Sequence, residues 1–184
     1  MRKFLLAFWG ILETILIAGG VVFLIRSFLF QPFFVEGSSM VPNFRDGDYL
    51  IIDEITYRFR EPERGEVIVF KFQNSSNYYI KRIIALPNET VKIESGKIWI
   101  KKPNSSFVLL EEPYLKGINT PGDYEVTLKD NEYFVLGDNR YASYDSRYWG
   151  PLERKKIIGL VRLRLWPINS VQASFGKPIY NFNF

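Results

Sequence analysis

The sequence predicts a mainly β protein: a β core interrupted by a small β subdomain and preceded by one transmembrane helix. Three observations predict it. An apolar run opens the chain, short β-like runs bounded by turn residues fill it from residue 48 onward, and no long helical period follows the apolar run. At 184 residues, 47% hydrophobic and 24% charged, the chain suits one modest domain with an attachment and is too apolar for wholesale disorder. It contains no Cys and no His. That excludes disulfides, zinc sites of the usual nitrogen or sulfur type, a cysteine nucleophile and serine catalysis through histidine. A hydrolase would have to draw its base from Lys, Asp, Glu or Tyr. The net charge of +4 is thinly spread, which gives no support to nucleic-acid binding.

The first element lies between Lys3 and Arg26, 22 residues whose only charged member is Glu13. As a helix it would span about 33 Å, enough for the hydrocarbon layer of a bilayer. Glu13 and the Gly19-Gly20 pair are its weak points. No Ala-x-Ala cleavage site follows. The segment runs instead into Phe28, Phe30, Pro32, Phe33 and Phe34, an aromatic cluster suited to the lipid surface, so it reads as an uncleaved anchor rather than a signal peptide. Arg2 and Lys3 favour an inside N-terminus and an outward-facing body. The resulting division is a short cytoplasmic N-terminus at 1–3, a membrane anchor and interfacial flank at 4–30, a β core at 31–86 and 132–184, and an inserted β subdomain at 87–131.

Strand-like runs then follow at Tyr49 to Ile52, Glu66 to Phe72, Tyr78 to Ala85, Thr90 to Ile100, Glu132 to Leu136 and Ile157 to Leu165. Apolar residues alternate on both sides of Ser95-Gly96, a hairpin signal because glycine accepts positive φ. Residues from Pro87 to about Asp130 are richer in turns, as at Pro103-Asn104-Ser105-Ser106 and Asn119-Thr120-Pro121-Gly122, which marks them as the insertion.

Three segments carry side chains capable of chemistry. In Glu36-Gly37-Ser38-Ser39-Met40-Val41-Pro42, small residues beside Ser39 would let a substrate backbone approach, although such a segment is most often a turn. In Tyr79-Ile80-Lys81-Arg82-Ile83-Ile84, strand alternation sets Lys81 on the face of Tyr79 and Ile83, with Arg82 pointing away. Desolvation of Lys81 would favour its neutral amine, a base able to take a serine proton; an edge-strand Lys-Arg pair in solvent is the bland alternative. The third segment, Gly137 to Gly150, is dense in hydrogen-bonding side chains. There Asp138 and Asn139 can close a turn with their own backbone, and Asp145 and Arg147 can form a charge-assisted pair holding the loop.

These segments, in this order behind an N-terminal anchor, resemble the bacterial type I signal peptidases, or leader peptidases, membrane-bound proteases that use a serine and lysine dyad. The resemblance runs through Ser39-Met40-x-Pro42, Arg64-Gly65-Glu66-Val67-Ile68-Val69-Phe70, Tyr79-Ile80-Lys81-Arg82 with Leu86-Pro87, and Gly137-Asp138-Asn139-Arg140 to Ser143-x-Asp145-Ser146-Arg147-x-Trp149-Gly150. It implies a signal-peptidase-like β catalytic core, anchored as a single pass in the bacterial cytoplasmic membrane with the catalytic domain on the outer side. The implied activity is removal of signal peptides from secretory preproteins, so the implied partners are those signal peptides and the lipid bilayer, with no metal or organic cofactor.

By the same resemblance Ser39 is the nucleophile, Lys81 the general base, and Ser143 the residue that hydrogen-bonds and orients Lys81, with Asp145 and Arg147 bracing its loop. One oxyanion donor is the Ser39 N–H. The second is open, because many relatives supply a serine hydroxyl at the position occupied here by Gly37. Substrate-wall residues are Phe33, Val35, Met40, Tyr79 and Ile80, which would hold small side chains of a strand-like peptide. Asn43 and Glu66 depart from the threonine and aspartate common among relatives. Rival readings are a soluble serine and lysine self-cleaving protease, which the anchor disfavours, and an anchored β-rich binding protein without catalysis.

Overall fold

The computed structural model describes residues 8–20, 30–72 and 77–180. Residues 8–20 form a helix, about 20 Å long at 1.5 Å per residue, whose side chains face outward. Among the described residues no helix is long and apolar enough to cross a membrane. This helix covers the middle of the expected anchor, and the flanks at 1–7 and 21–29 lie outside the described residues.

The body is β, as composition and alternation require. Seven strands build the larger sheet: β1 (Phe30–Phe34), β2 (Tyr49–Asp53), β3 (Val67–Lys71), β4 (Tyr78–Ala85), β9 (Glu132–Leu136), β10 (Leu152–Glu153) and β11 (Ile157–Trp166). They lie in the order β1-β2-β11-β3-β4-β9-β10, every neighbouring pair antiparallel. The chain between β4 and β9 contributes a second sheet of β5 (Thr90–Glu94), β6 (Lys97–Lys101), β7 (Val108–Leu110) and β8 (Tyr124–Thr127), ordered β7-β6-β5-β8. The hairpin expected at Ser95-Gly96 forms: Glu94 pairs with Lys97, and the two loop residues take φ of 51° and 77°, the left-handed values a two-residue turn demands. The strands β7, β8 and β10, of three, four and two residues, lie outside the runs expected from sequence.

The described part of the aromatic run after the expected anchor forms a strand. Phe30 to Phe34 pairs in register with Asp53 to Tyr49. A strand with aromatics at three of five positions shows no period-2 pattern. Pro32 is tolerated because β1 is the sheet's outermost strand.

Three apolar clusters hold the fold. One joins the sheets, with Ile84, Ala85, Phe134 and Leu136 packed on Val91, Ile93, Ile98 and Ile100. A second gathers Ile68, Phe70, Ile83 and Val135 with Tyr79 on one face of the large sheet. The third packs Val35, Met40 and Phe44, from the β1–β2 loop, on Leu50, Val67, Val69 and Ile80. Each such side chain is worth roughly 1.5–3 kcal/mol of burial. Core packing therefore fixes the loop that carries Ser39.

Candidate active site

Ser39 sits in the loop linking β1 to β2. Val35 N–H donates to Asp48 O and Gly47 N–H to Val35 O, both at 2.9 Å, closing the loop at its neck. Gly37, at φ +88°, donates its N–H to Asp46 Oδ1 at 2.7 Å, so that N–H is committed and does not serve as an oxyanion donor in this conformation. The Ser39 N–H makes no hydrogen bond among the described residues.

Lys81 lies in β4, which β3 and β9 flank, so the solvent-exposed edge pair does not occur. Its side chain is buried, 4% exposed, and Nζ donates to Ser39 Oγ at 2.7 Å and to the Ile80 carbonyl at 2.9 Å. Burial pushes its pKa down from 10.5 to about 8, against the opposing pull of the Asp145 and Asp138 carboxylates. A neutral amine at this distance can accept the hydroxyl proton.

The loop after β9 closes over the same place. Asp145 is fully buried, accepts the Gly137 N–H at 3.1 Å, and meets Arg147 through Nε–Oδ1 at 2.8 Å and Nη2–Oδ2 at 2.9 Å. It also caps the helical turn Ser146–Trp149 by accepting the Arg147 N–H. Arg147 reaches on to the Pro121 carbonyl, and buried Arg140 joins Gly137 O to Glu112 and Thr120, so both arginines fasten the loop to the segment between β7 and β8.

Ser143 is buried in this loop, yet its Oγ has no hydrogen-bond partner among the described residues. The bond to Lys81 implied by family resemblance is therefore not formed here, because Nζ is turned toward Ser39 and Ile80. Gly137 lies between Ser143 and the Ser39 carbonyl, and a β-carbon on it would strike both.

The dyad opens into a cleft of about 370 Å³, lined by Phe33, Val35, Tyr79 and Ile80, with Leu50 and Val69 beneath. Of the wall residues expected from sequence, Met40 departs: it is 1% exposed, turned into the core beside Val35 and Phe44 instead of into the cleft. Sequence reading missed what holds the cleft together. Asp138 does not close a turn through its carboxylate; it pairs with Arg82 and accepts from Asn43 Nδ2 at 2.7 Å. Strand alternation puts Arg82 on the face of Ile80 and Ile84, and that is the signal that could have pointed to a buried partner. Glu66, the other departure, is held by Arg60, Tyr57 and the Glu63 N–H, away from the dyad.

A family model described as "Signal peptidase, peptidase S26" matches residues 8–166. The chain belongs to the signal peptidase family. It is 40% identical over 156 residues to the "Probable signal peptidase I-2" of Synechocystis sp., covering 80% of this chain and 68% of that protein. It is 34% identical over 177 residues to the signal peptidase I of Bacillus amyloliquefaciens, covering 90% and 88%. A crystal structure of a signal peptidase I from Enterococcus faecalis V583 aligns with a TM-score of 0.48 and 31% identity, covering 55% of this chain and 97% of that one. The chain is thus a hydrolase of the signal peptidase family, and the match includes the Ser39 loop, β4 and the Gly137–Gly150 loop.

Proposed function

We propose that the chain is a membrane-anchored serine endopeptidase that removes N-terminal signal peptides from exported preproteins, with Ser39 as nucleophile and Lys81 as general base. The observation that carries this reading is the 2.7 Å approach of a buried lysine amine to the Ser39 hydroxyl in a cleft walled by Phe33, Val35, Tyr79 and Ile80. Neutral Lys81 takes the Ser39 proton as Oγ attacks the scissile carbonyl, and returns it to the leaving amine. It then activates the water that clears the ester. The Ser39 N–H stabilises the oxyanion.

Ser143 supports the base. Its buried, unpartnered hydroxyl becomes the acceptor for Lys81 Nζ once Ser39 Oγ turns to substrate, while Asp145 and Arg147 hold its loop. Phe33, Val35, Tyr79 and Ile80 form shallow walls for the small side chains before the cut. The peptide lies extended, so its affinity rests on backbone hydrogen bonds common to many preproteins.

The anchor helix and its interfacial flank in this reading are residues 4–30, a single pass in the bacterial cytoplasmic membrane that ends where β1 begins, with the N-terminus inside and the cleft outside. Its support is the run between Lys3 and Arg26, with outward-facing Phe8, Trp9, Ile15 and Leu16 in its helical part. Incubation of the full chain in vesicles with a preprotein tests the whole. Processing at the small-residue site is expected to vanish in Ser39→Ala; undiminished processing by that variant would refute it.

A further inference from the structure

Two bonds from one residue bracket Ser39. Asn139 Nδ2 donates to the Ser38 carbonyl at 3.1 Å, and the Asn139 backbone N–H donates to the Ser39 carbonyl at 3.0 Å. The peptide unit between Ser38 and Ser39 is planar and trans, so its C=O and its N–H point in opposite directions. The Ser38 carbonyl also accepts the Val41 N–H at 3.2 Å, and holding it toward Asn139 and Val41 turns the Ser39 N–H away from both. The second bond fixes the peptide plane on the other side of Ser39. Asn139 is itself held, since Ala142 N–H donates to its carbonyl at 3.1 Å and its neighbour Asp138 is locked by Arg82 and Asn43. Gly37 N–H is engaged by Asp46, whereas the Ser39 N–H, on the nucleophile itself, has no partner among the described residues.

We infer that Asn139 is a positioning residue for the oxyanion site: its side-chain amide sets the direction of the Ser39 N–H that receives the negative charge of the tetrahedral intermediate. The role demands an amide. An aspartate of the same shape would set a carboxylate oxygen against the Ser38 carbonyl, two acceptors face to face, and the peptide plane would rotate. Because donors aimed at developing charge act only when preoriented, the cost falls on the transition state and not on substrate binding.

The inference rests on the Ser39 and Lys81 reading, and its experiment separates the two. In the full chain, Asn139→Asp and Asn139→Ala are expected to lower kcat for a preprotein by about tenfold to a hundredfold, with KM within about twofold. A signal-peptide segment ending in a boronic acid, whose tetrahedral adduct places an oxygen in the same site, is expected to lose affinity by the same factor. The cleaved signal-peptide segment keeps its affinity. Near-wild-type kcat in Asn139→Asp, or equal losses of boronate and product affinity, would overturn the assignment. Asn139→Asp keeps volume and backbone bonds, so it answers the question should Asn139→Ala fold poorly. An active Ser39→Ala protein would defeat the dyad reading; an inactive one beside an undiminished Asn139→Asp would defeat the Asn139 role alone.

Discussion

Arg82 and Asp138 form a two-pronged ion pair with no exposure of either side chain, Nε–Oδ1 at 2.8 Å and Nη2–Oδ2 at 2.7 Å. It joins the strand carrying Lys81 to the loop carrying Asn139 and Ser143. The pair is fully satisfied: Arg82 Nη1 donates to the Gly65 and Gly176 carbonyls at 2.9 Å each, Asn43 supplies Asp138, and the Tyr114 ring lies 4.0 Å from the guanidinium.

Such a pair is expensive to break from one side, because the remaining charge stays buried and alone. Arg82→Met is expected to destabilise the fold by about 3–5 kcal/mol, and the double variant Arg82→Met with Asp138→Leu by clearly less. Arg82→Lys also loses stability, since an ammonium cannot reproduce the planar fork. Urea unfolding of the wild type, Arg82→Met, Asp138→Leu, the double variant and Arg82→Lys checks this. A double variant as unstable as the sum of the two singles would contradict it.

Lys81 links activity and stability to pH in the same sense, both being lost as the pH falls. Its folded pKa of about 8 lies below its ordinary 10.5, so the unfolded chain binds the extra proton across that interval. Stability therefore falls as pH drops from 10.5 to about 8 and stays reduced below it, by about 3 kcal/mol from this one group. Lys81→Met is expected to be inactive and more stable at pH 7, without that slope. In the wild type, kcat/KM is expected to rise through an apparent pKa near 8 and to fall about tenfold per unit at lower pH. A flat profile between pH 6 and 9 would count against the neutral amine as base.

Much of this could be read from residues alone, for physical reasons. Period-2 alternation exposed the β5–β6 hairpin, and β-like apolar runs bounded by turn residues exposed β4 and β9, because each buries one face or both. The Ser39, Lys81 and Gly137–Gly150 segments stood out because small and polar residues crowd beside apolar strands. β1 did not, since its aromatics and Pro32 mask any alternation. The partners of Arg82, Arg140 and Asn139 lie 56, 28 and 101 residues away in the chain, and no local pattern encodes such pairings. Met40 is implied as a wall residue by the family resemblance, and a resemblance of sequence does not fix which way a side chain in a turn points; here it packs beside Val35 and Phe44.

Gly137 is a spacer whose missing β-carbon lets two loops meet. Gly137→Ala would push Ser143 and the Ser39 carbonyl apart, and neither can yield cheaply, since the first is buried and the second is held by Asn139. Overpacking of this kind costs about 1–3 kcal/mol. Activity is expected to fall by more than that stability change explains, at least a hundredfold, because 1 Å of misplacement costs about that much in rate. Processing rates measured well below the thermal midpoint of Gly137→Ala check this. An alanine variant with normal turnover would show that the loops have slack.

Ser143 offers the sharpest separation of function from folding. A buried hydroxyl without a partner costs about 1–3 kcal/mol, and nothing in the resting fold repays it. Ser143→Ala removes that cost along with one oxygen, so its urea midpoint is expected to match or exceed the wild type. Its kcat is expected to drop tenfold or more, as Lys81 loses the acceptor that would steer it after Ser39 turns to substrate, an outer-partner effect of about that size. The loss should appear in kcat while KM stays near its original value, since no substrate contact is removed. Stability falling in step with activity would mean that Ser143 serves packing, and unchanged kcat would remove it from the catalytic cycle.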